Sequence, residues 1–294
     1  MMKVWNYRVP LCKVHAKRKG EKPMSNEGNV GTTTGGPLAV AGVPIYGISD
    51  NGDLNWYFHQ GALNGSALWA NEGQRVKVGN GWNEGLMVFK GDPHGNDGVI
   101  YRVDSRGDLY WYKHLGHATG SQDWIDGKKV GNGWQDARIA FAAGDGVVYA
   151  INKNGDLLWF QHLGYGDGSG TWTNSGIGSK VGVGWGGVRF AFAGGNGIIY
   201  AIDRQGDLYW YRHEGHTNGT FVWANGAAGA KVGNGWNEAA SAFSGGNGVI
   251  YALKRDDNLY WYNHTGFTTG AGTWTPPGTG NLIGTGWAEM VRIF

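Results

Sequence analysis

The sequence predicts an all-β fold: a five-bladed β-propeller of four-stranded antiparallel blades, with about 51 residues to the repeat. Three observations predict it. Gly-Trp recurs with its indole at Trp82, Trp134, Trp185, Trp236 and Trp287, at steps of 52, 51, 51 and 51 residues, and a phenylalanine follows each one seven positions on (Phe89, Phe141, Phe192, Phe243, Phe294). A second tryptophan opens an aromatic run that ends in histidine three residues later, at Trp56-His59, Trp111-His114, Trp159-His162, Trp210-His213 and Trp261-His264. A third stands ten residues beyond each histidine (Trp69, Trp124, Trp172, Trp223, Trp274), so that only Trp5 of the 16 tryptophans lies outside five equivalent units. The composition agrees. Fifty-six glycines in 294 residues, with 14% aromatic and only 16% charged residues, suit short strands joined by tight turns better than helices.

Within the unit from Trp185 to Trp236 the four strands read off in order. Val188–Phe192 is the innermost, and the Gly194-Gly195-Asn196-Gly197 cluster turns it into Ile198–Ile202. Gln205-Gly206-Asp207 is the next hairpin turn, Leu208–His213 the third strand, and the segment from Phe221 through Gly233 supplies the fourth. One such blade cannot bury both faces alone, so blades must stack. Two segments compete to complete blade one: Met290–Phe294, and Pro37–Ala41 ahead of Ile45-Tyr46. The C-terminal one keeps the Gly-Trp-to-Phe spacing of the other copies and is preferred. Residues 1–35 are then a basic, flexible extension and 36–294 a single propeller domain. The loop Gly91–Gly98 is four residues longer than its counterparts. Its Asp92, His94 and Asp97 lack calcium-loop spacing, and it reads as a surface insertion.

Charge excludes several partners. Residues 1–30 hold seven of the 25 Lys/Arg and two of the 23 Asp/Glu, leaving 18 basic and 21 acidic groups in the remainder, so the repeats lack the basic stripe that nucleic acid requires. Cys12 is the single cysteine, and packing rather than disulfides must hold the fold. Arg8, Pro10 and Lys13 interrupt the N-terminus, so we expect a soluble chain with no recognisable signal peptide and no membrane span, cytoplasmic or non-classically released. No cofactor is expected, and the sequence sets no oligomeric state. The five repeat histidines fall on five different blades and cannot converge on one metal ion. A hydrogen bond to a neighbouring element is the expected role. Asp53, Asp108, Asp156 and Asp207, with Asn258 in the fifth copy, read as turn formers.

The unit Ile199-Tyr200-Ala201-Ile202, Gly206-Asp207-Leu208-Tyr209-Trp210-Tyr211-Arg212-His213, Trp223 and Lys231-Val232-Gly233-Asn234-Gly235-Trp236-Asn237 resembles the repeat of the tachylectin-type β-propeller lectins, over roughly residues 37–294. The resemblance implies one site per repeat for N-acetylated hexosamines, N-acetylglucosamine or N-acetylgalactosamine, and hence glycans carrying such sugars as partners.

The connector from each fourth strand to the next blade carries the chemistry a sugar needs: an apolar surface beside fixed donors and acceptors, with glycines permitting close approach. Candidate carbohydrate-binding residues are Asn80, Trp82, Asn83 and Glu84; Asn132, Trp134, Gln135 and Asp136; Trp185; Asn234, Trp236, Asn237 and Glu238; and Trp287 with Glu289. The copies are unequal, since Val183 and Thr285 replace the asparagine and Gly186-Gly187 the polar pair. A filler role for the indoles in the inter-blade core is the competing reading. Ala62, His117, Tyr165, His216 and Phe267 vary at one repeat position and suggest a loop tip facing solvent or ligand on the opposite face. No catalytic residues are assigned: there is no nucleophile elbow, zinc signature or phosphate loop, and the acids recur in register rather than pairing at one place. A multivalent lectin is therefore expected, with a protein-interaction scaffold or a glycan-processing propeller enzyme as alternatives.

Overall fold

The computed structural model describes residues 42–294, which form strands, turns and single-turn 3-10 segments. Blade one holds β1 (Val43–Ser49), β2 (Leu54–His59) and β3 (Val76–Gly79), and blade two β4 (Met87–Lys90), β5 (Val99–Val103), β6 (Leu109–His114) and β7 (Trp124–Gly131). Blade three holds β8 (Ala137–Gly144), β9 (Val147–Asn152), β10 (Leu157–Gln161) and β11 (Ser179–Gly182), and blade four β12 (Val188–Gly195), β13 (Ile198–Asp203), β14 (Leu208–Arg212) and β15 (Ala230–Gly233). Blade five has β16 (Ala239–Gly246), β17 (Val249–Lys254), β18 (Leu259–His264) and an outer strand in two pieces, β19 (Trp274–Thr275) and β20 (Asn281–Gly284). The last strand, β21 (Met290–Ile293), returns to blade one and takes its inner position in the order β21-β1-β2-β3. Reciprocal bonds between Tyr46 and Phe294, at 2.9 and 3.0 Å, complete this closure. The competing segment Pro37–Ala41 and the basic stretch 1–35 lie outside the described residues.

Turn chemistry fixes the hairpins. In blade four the Asp203 carboxylate accepts from the backbone of Gln205 and Asp207, both at 2.9 Å, and Gly206 takes the left-handed φ of +81° that closes the turn. The aspartate of each Gly-Asp turn reaches the lysine of its outer strand instead: Asp53–Lys77, Asp108–Lys129, Asp156–Lys180 and Asp207–Lys231, at 2.6–2.8 Å.

The outer strand departs from the continuous segment expected. In blades one, three and four it survives as a bridge from the histidine to the third tryptophan (His59–Trp69, His162–Trp172, His213–Trp223) and then a four-residue strand. Between the two lie left-handed residues such as Asn225 and Gly226, which no ladder accommodates. Blade two lacks three residues there, and its β7 runs unbroken from Trp124. Four residues gained in the 91–98 loop and three lost here account for its 52-residue step.

The hydrophobic core is an annulus of five clusters, each shared by two adjacent blades. Trp210, Trp236, Tyr200 and Ile250, for example, fill the gap between blades four and five. A buried polar bond crosses every gap. The tyrosine of each second strand meets the histidine of the next blade's third strand at 2.7–2.8 Å: Tyr46–His114, Tyr101–His162, Tyr149–His213, Tyr200–His264 and Tyr251–His59. Each histidine Nε2 also faces a backbone carbonyl seven residues on, as His264 does that of Ala271 at 2.7 Å. A carbonyl only accepts, so Nε2 carries the proton, Nδ1 accepts, and the tyrosine donates. The expected structural role of the histidines is what the fold displays.

Burial pulls His59 down to about 4, only partly offset by the Ser66 carbonyl, and lowers the other four in the same way. A histidine whose folded pKa lies below its unfolded value near 6.5 resists protonation until the chain opens, so stability is lost as pH falls from about 6.5 towards 4. Asp97, raised by burial and by Asp92, runs the other way with one proton against five. Urea midpoints should drop steeply as the pH falls below 6.5. A flat profile down to pH 5 contradicts neutral histidines.

The 91–98 loop is not the plain surface insertion expected. His94 packs over Gly246 of blade five, Gly95 against Pro44 of blade one, and Gly144 of blade three donates to the Gly91 carbonyl at 3.2 Å. A loop from blade two can touch all three only by crossing the ring axis. Asp92 holds it in shape, accepting from the backbone of His94, Gly95 and Asp97 at 2.6, 2.8 and 3.0 Å.

Candidate functional site

Each connector doubles back under the hairpin turn of the blade it leaves. The backbone N–H of Trp236 donates to the Gly206 carbonyl at 2.9 Å, and the other four Gly-Trp units make the same bond at 2.9–3.1 Å. The ring then turns into the gap before the next blade, where Trp236 lies 4.7 Å from Tyr262 and 6.2 Å from Trp274 between centroids. Trp82 meets Tyr112 and Trp124 in this way, Trp134 Phe160 and Trp172, Trp185 Tyr211 and Trp223, and Trp287 Tyr57 and Trp69. All five rings are only 5–7% exposed. The open aromatic face expected of these indoles is therefore absent, because neighbouring rings cover it.

What distinguishes these tryptophans is the N–H edge. The second tryptophan of each copy donates to the next blade, as Trp210 does to the Phe267 carbonyl at 2.7 Å, and the third to the preceding outer strand, as Trp274 does to Val232 at 2.7 Å. No acceptor among the described residues meets Nε1 of Trp236, and the atom is not sealed from solvent. It sits over Gly233, where a Cβ would lie 3.0 Å away, so glycine leaves the space through which that N–H is reached. The Tyr262 hydroxyl likewise has no partner among the described residues, and burial, reinforced by Tyr260 and Asp256, pushes it up to about 12, so at neutral pH it is an O–H donor.

These two donors open into a groove of about 660 Å³ lined by Asn234, Gly235, Trp236, Tyr260, Tyr262 and Gly278, with the Lys254 ammonium 4.0 Å above the Tyr260 ring. The equivalent positions elsewhere are unequal. Asn80 and Asn132 stand exposed at their connector tips like Asn234, whereas Val183 and Thr285 occupy the other two. Phe160 lacks the hydroxyl that Tyr112, Tyr211 and Tyr57 carry. Beside Tyr112, which Trp82 meets, a cavity is lined by Arg102 and Glu84, 3.5 Å apart.

Of the residues singled out from sequence, the structure brings Trp236 and Asn234 to one groove edge. The residues after the indole face the turn side and are largely occupied. Asn83 donates to the Asp50 carbonyl at 2.9 Å, and Gln135 packs against Gly107. Asp136 pairs with Lys153 at 3.1 Å, Glu289 with Arg75 at 2.6 Å, and Asn237 donates to Glu238 at 3.3 Å. The tyrosines of the opposite wall were not among the candidates. Strict alternation in Leu259-Tyr260-Trp261-Tyr262 was the available signal: it sends Trp261 to the following blade, where it donates to the Ala62 carbonyl, and both tyrosines to the preceding one. The variable position Ala62, His117, Tyr165, His216, Phe267 is explained by the same bonds. Its carbonyl is what the second tryptophan requires, which leaves the side chain free to differ.

A closed ring of five blades with the same Gly-Trp packing in every gap defines a β-propeller built on an internal repeat. The chain belongs to the Tachylectin family, whose model matches residues 47–292. That is a family of lectin-like, in general non-enzymatic propellers, which implies carbohydrate binding at the level of the family. No curated protein matches the chain. Among solved structures it is similar to human WBSCR16, at 14% identity and a TM-score of 0.33 over 73% of this chain and 58% of that one. It is also similar to yeast RCC1 (Prp20) bound to Kap60, at 14% identity and a TM-score of 0.35 over 79% and 56%. YCF48 bound to D1 peptide matches at 12% identity and a TM-score of 0.33, over 81% and 68%. The chain spans little more than half the length of the first two. Among the described residues no helix is long and apolar enough to cross a membrane, and no group of three or more His, Cys, Asp or Glu is placed to hold a metal ion.

Proposed function

We propose that the protein is a multivalent lectin, without enzymatic activity, that binds N-acetylated hexosamines in the inter-blade grooves. The observation that carries this reading is the pair of unpartnered donors, Trp236 Nε1 and the Tyr262 hydroxyl, lining one groove with the exposed amide of Asn234. An acetamido group presents a carbonyl acceptor, an N–H donor and a methyl, and such a groove offers a donor, an acceptor and aromatic walls in return. A buried donor left without a partner costs about 1–3 kcal/mol, so a sugar lacking the acetamide is discriminated against. The fullest complement stands at Trp82, with Asn80 and Tyr112, and at Trp236. The Trp134 groove lacks the hydroxyl and the Trp185 groove the amide.

Calorimetry with N-acetylglucosamine, N-acetylgalactosamine and glucose, in EDTA throughout, tests this. Saturable heat is expected for the acetamido sugars and none for glucose. Asn234→Ala combined with Tyr262→Phe should remove one site and leave affinity at the rest unchanged. Equal binding of glucose, loss of binding in EDTA, or one sugar per chain indifferent to that double substitution would refute the reading.

A further inference from the structure

We propose that the axial channel is a separate binding site for a small oxyanion, a sulfate, phosphate or carboxylate group, held by Arg138, Arg189 and Arg292. The five inner strands enclose a cavity of about 280 Å³, with these arginines at the connector end and Asp92 and Pro93 of the crossing loop at the other. The loop turns what would be an open pore into a one-mouthed chamber. Below the arginine mouth its walls are largely apolar, formed by residues such as Ile139, Phe190 and Phe243.

Each guanidinium is held by neutral carbonyls of the next blade. Arg138 donates to Val188 and Trp185 at 2.6 and 2.9 Å, Arg189 to Asn237 at 3.0 Å and to Ala239, and Arg292 to Gly85 at 2.9 Å. These bonds fix position while neutralising nothing. Among the described residues none of the three arginines forms an ion pair; of the connector carboxylates Glu84 pairs with Arg102, Asp136 with Lys153 and Glu289 with Arg75, while Glu238 accepts only from the Asn237 amide. Arg138 stands exposed at the mouth while Arg189 and Arg292 are half-buried, and like charge adds to the partial desolvation, Arg204 acting on Arg138 and Arg255 on Arg189. General basicity is not the cause, since residues 31–294 carry more acids than bases. Positioned, unpaired guanidinium forks are the groups that recognise oxyanions bidentately. At the far end the buried Lys90 is accompanied by Asp92, whose carboxylate offsets it, so the unopposed cations are those of the arginine mouth.

This site is independent of the sugar grooves, and the experiment keeps the two apart. Equilibrium dialysis of the full chain against radiolabelled sulfate at low ionic strength should find one ion per chain, and N-acetylglucosamine should not displace it. Arg138→Gln with Arg189→Gln should weaken binding at least tenfold while sugar stoichiometry, which reports the intact ring, stays unchanged. As a check needing no variant, sulfate should raise the wild-type Tm above that in chloride of matched ionic strength. N-acetylglucosamine 6-sulfate identifies the source: competition points to a sulfated sugar entering the mouth, and lack of competition to the free ion. No retained sulfate, no Tm difference, or displacement by N-acetylglucosamine overturns the proposal.

Discussion

Replacing His264 by alanine is expected to destabilise the fold by about 3–5 kcal/mol. The side chain is fully buried, stacks on Trp274 at 4.7 Å, and links Tyr200 of blade four to the Ala271 carbonyl of its own blade. Removing it opens a cavity and strands both a phenolic donor and a carbonyl in the inter-blade gap. Tyr200→Phe keeps the packing and strands only Nδ1, so its expected cost is smaller, about 1–3 kcal/mol. Urea unfolding of the two variants against the parent measures the difference, and equivalent substitutions in other blades should fall in the same order. A loss under 1 kcal/mol for His264→Ala would mean that the bridges decorate the gaps rather than hold them.

The second large effect concerns binding to dense glycan surfaces. Single grooves with a few hydrogen bonds should bind a monosaccharide at roughly 0.01–1 mM. The connectors all lie on one face of the ring, so several grooves can engage one surface, and each further contact then forms at an effective concentration on the order of 1 mM. With a site affinity near 0.1 mM, every engaged groove multiplies retention by about tenfold. Asn234→Ala with Tyr262→Phe should therefore reduce surface retention by about tenfold, while calorimetry finds only one groove in the set missing. A reduction of a fifth, in proportion to the site count, would show that the grooves act singly.

How much of this was legible in the sequence follows from where each feature is encoded. The blades were readable because the strand period, the Gly-Asp turns and the Gly-Trp spacing are local, and five copies repeat them. Even the histidine's partner was foreseeable in kind, since a polar group at a strict core position needs one. The groove's second wall was not, because Tyr260 and Tyr262 come from the following blade, and the offset at which blades stack is not written in any one repeat. The covering of the Gly-Trp rings has the same origin: Gly235 and Gly233 announce a close approach, but not that Tyr262 and Trp274 will supply it. The crossing loop was misjudged because its length is local information while its landing points, Gly144, Gly246 and Pro44, belong to three other blades.

The shared annular core has a consequence for how the molecule comes apart. In an open array of five stacked repeats there are four interfaces, and breaking any one divides the array. Returning β21 to blade one adds a fifth, filled by Tyr57, Met290, Ile293 and Trp287, without adding a repeat. A circle must be cut twice to yield two pieces. Between the first opening and the second the broken edges remain tethered through the remaining interfaces, so a single opening reseals. Closure thereby converts what would be a dissociation into a breathing motion, and gives the connector face the persistence that the proposed simultaneous hold on several ligands requires.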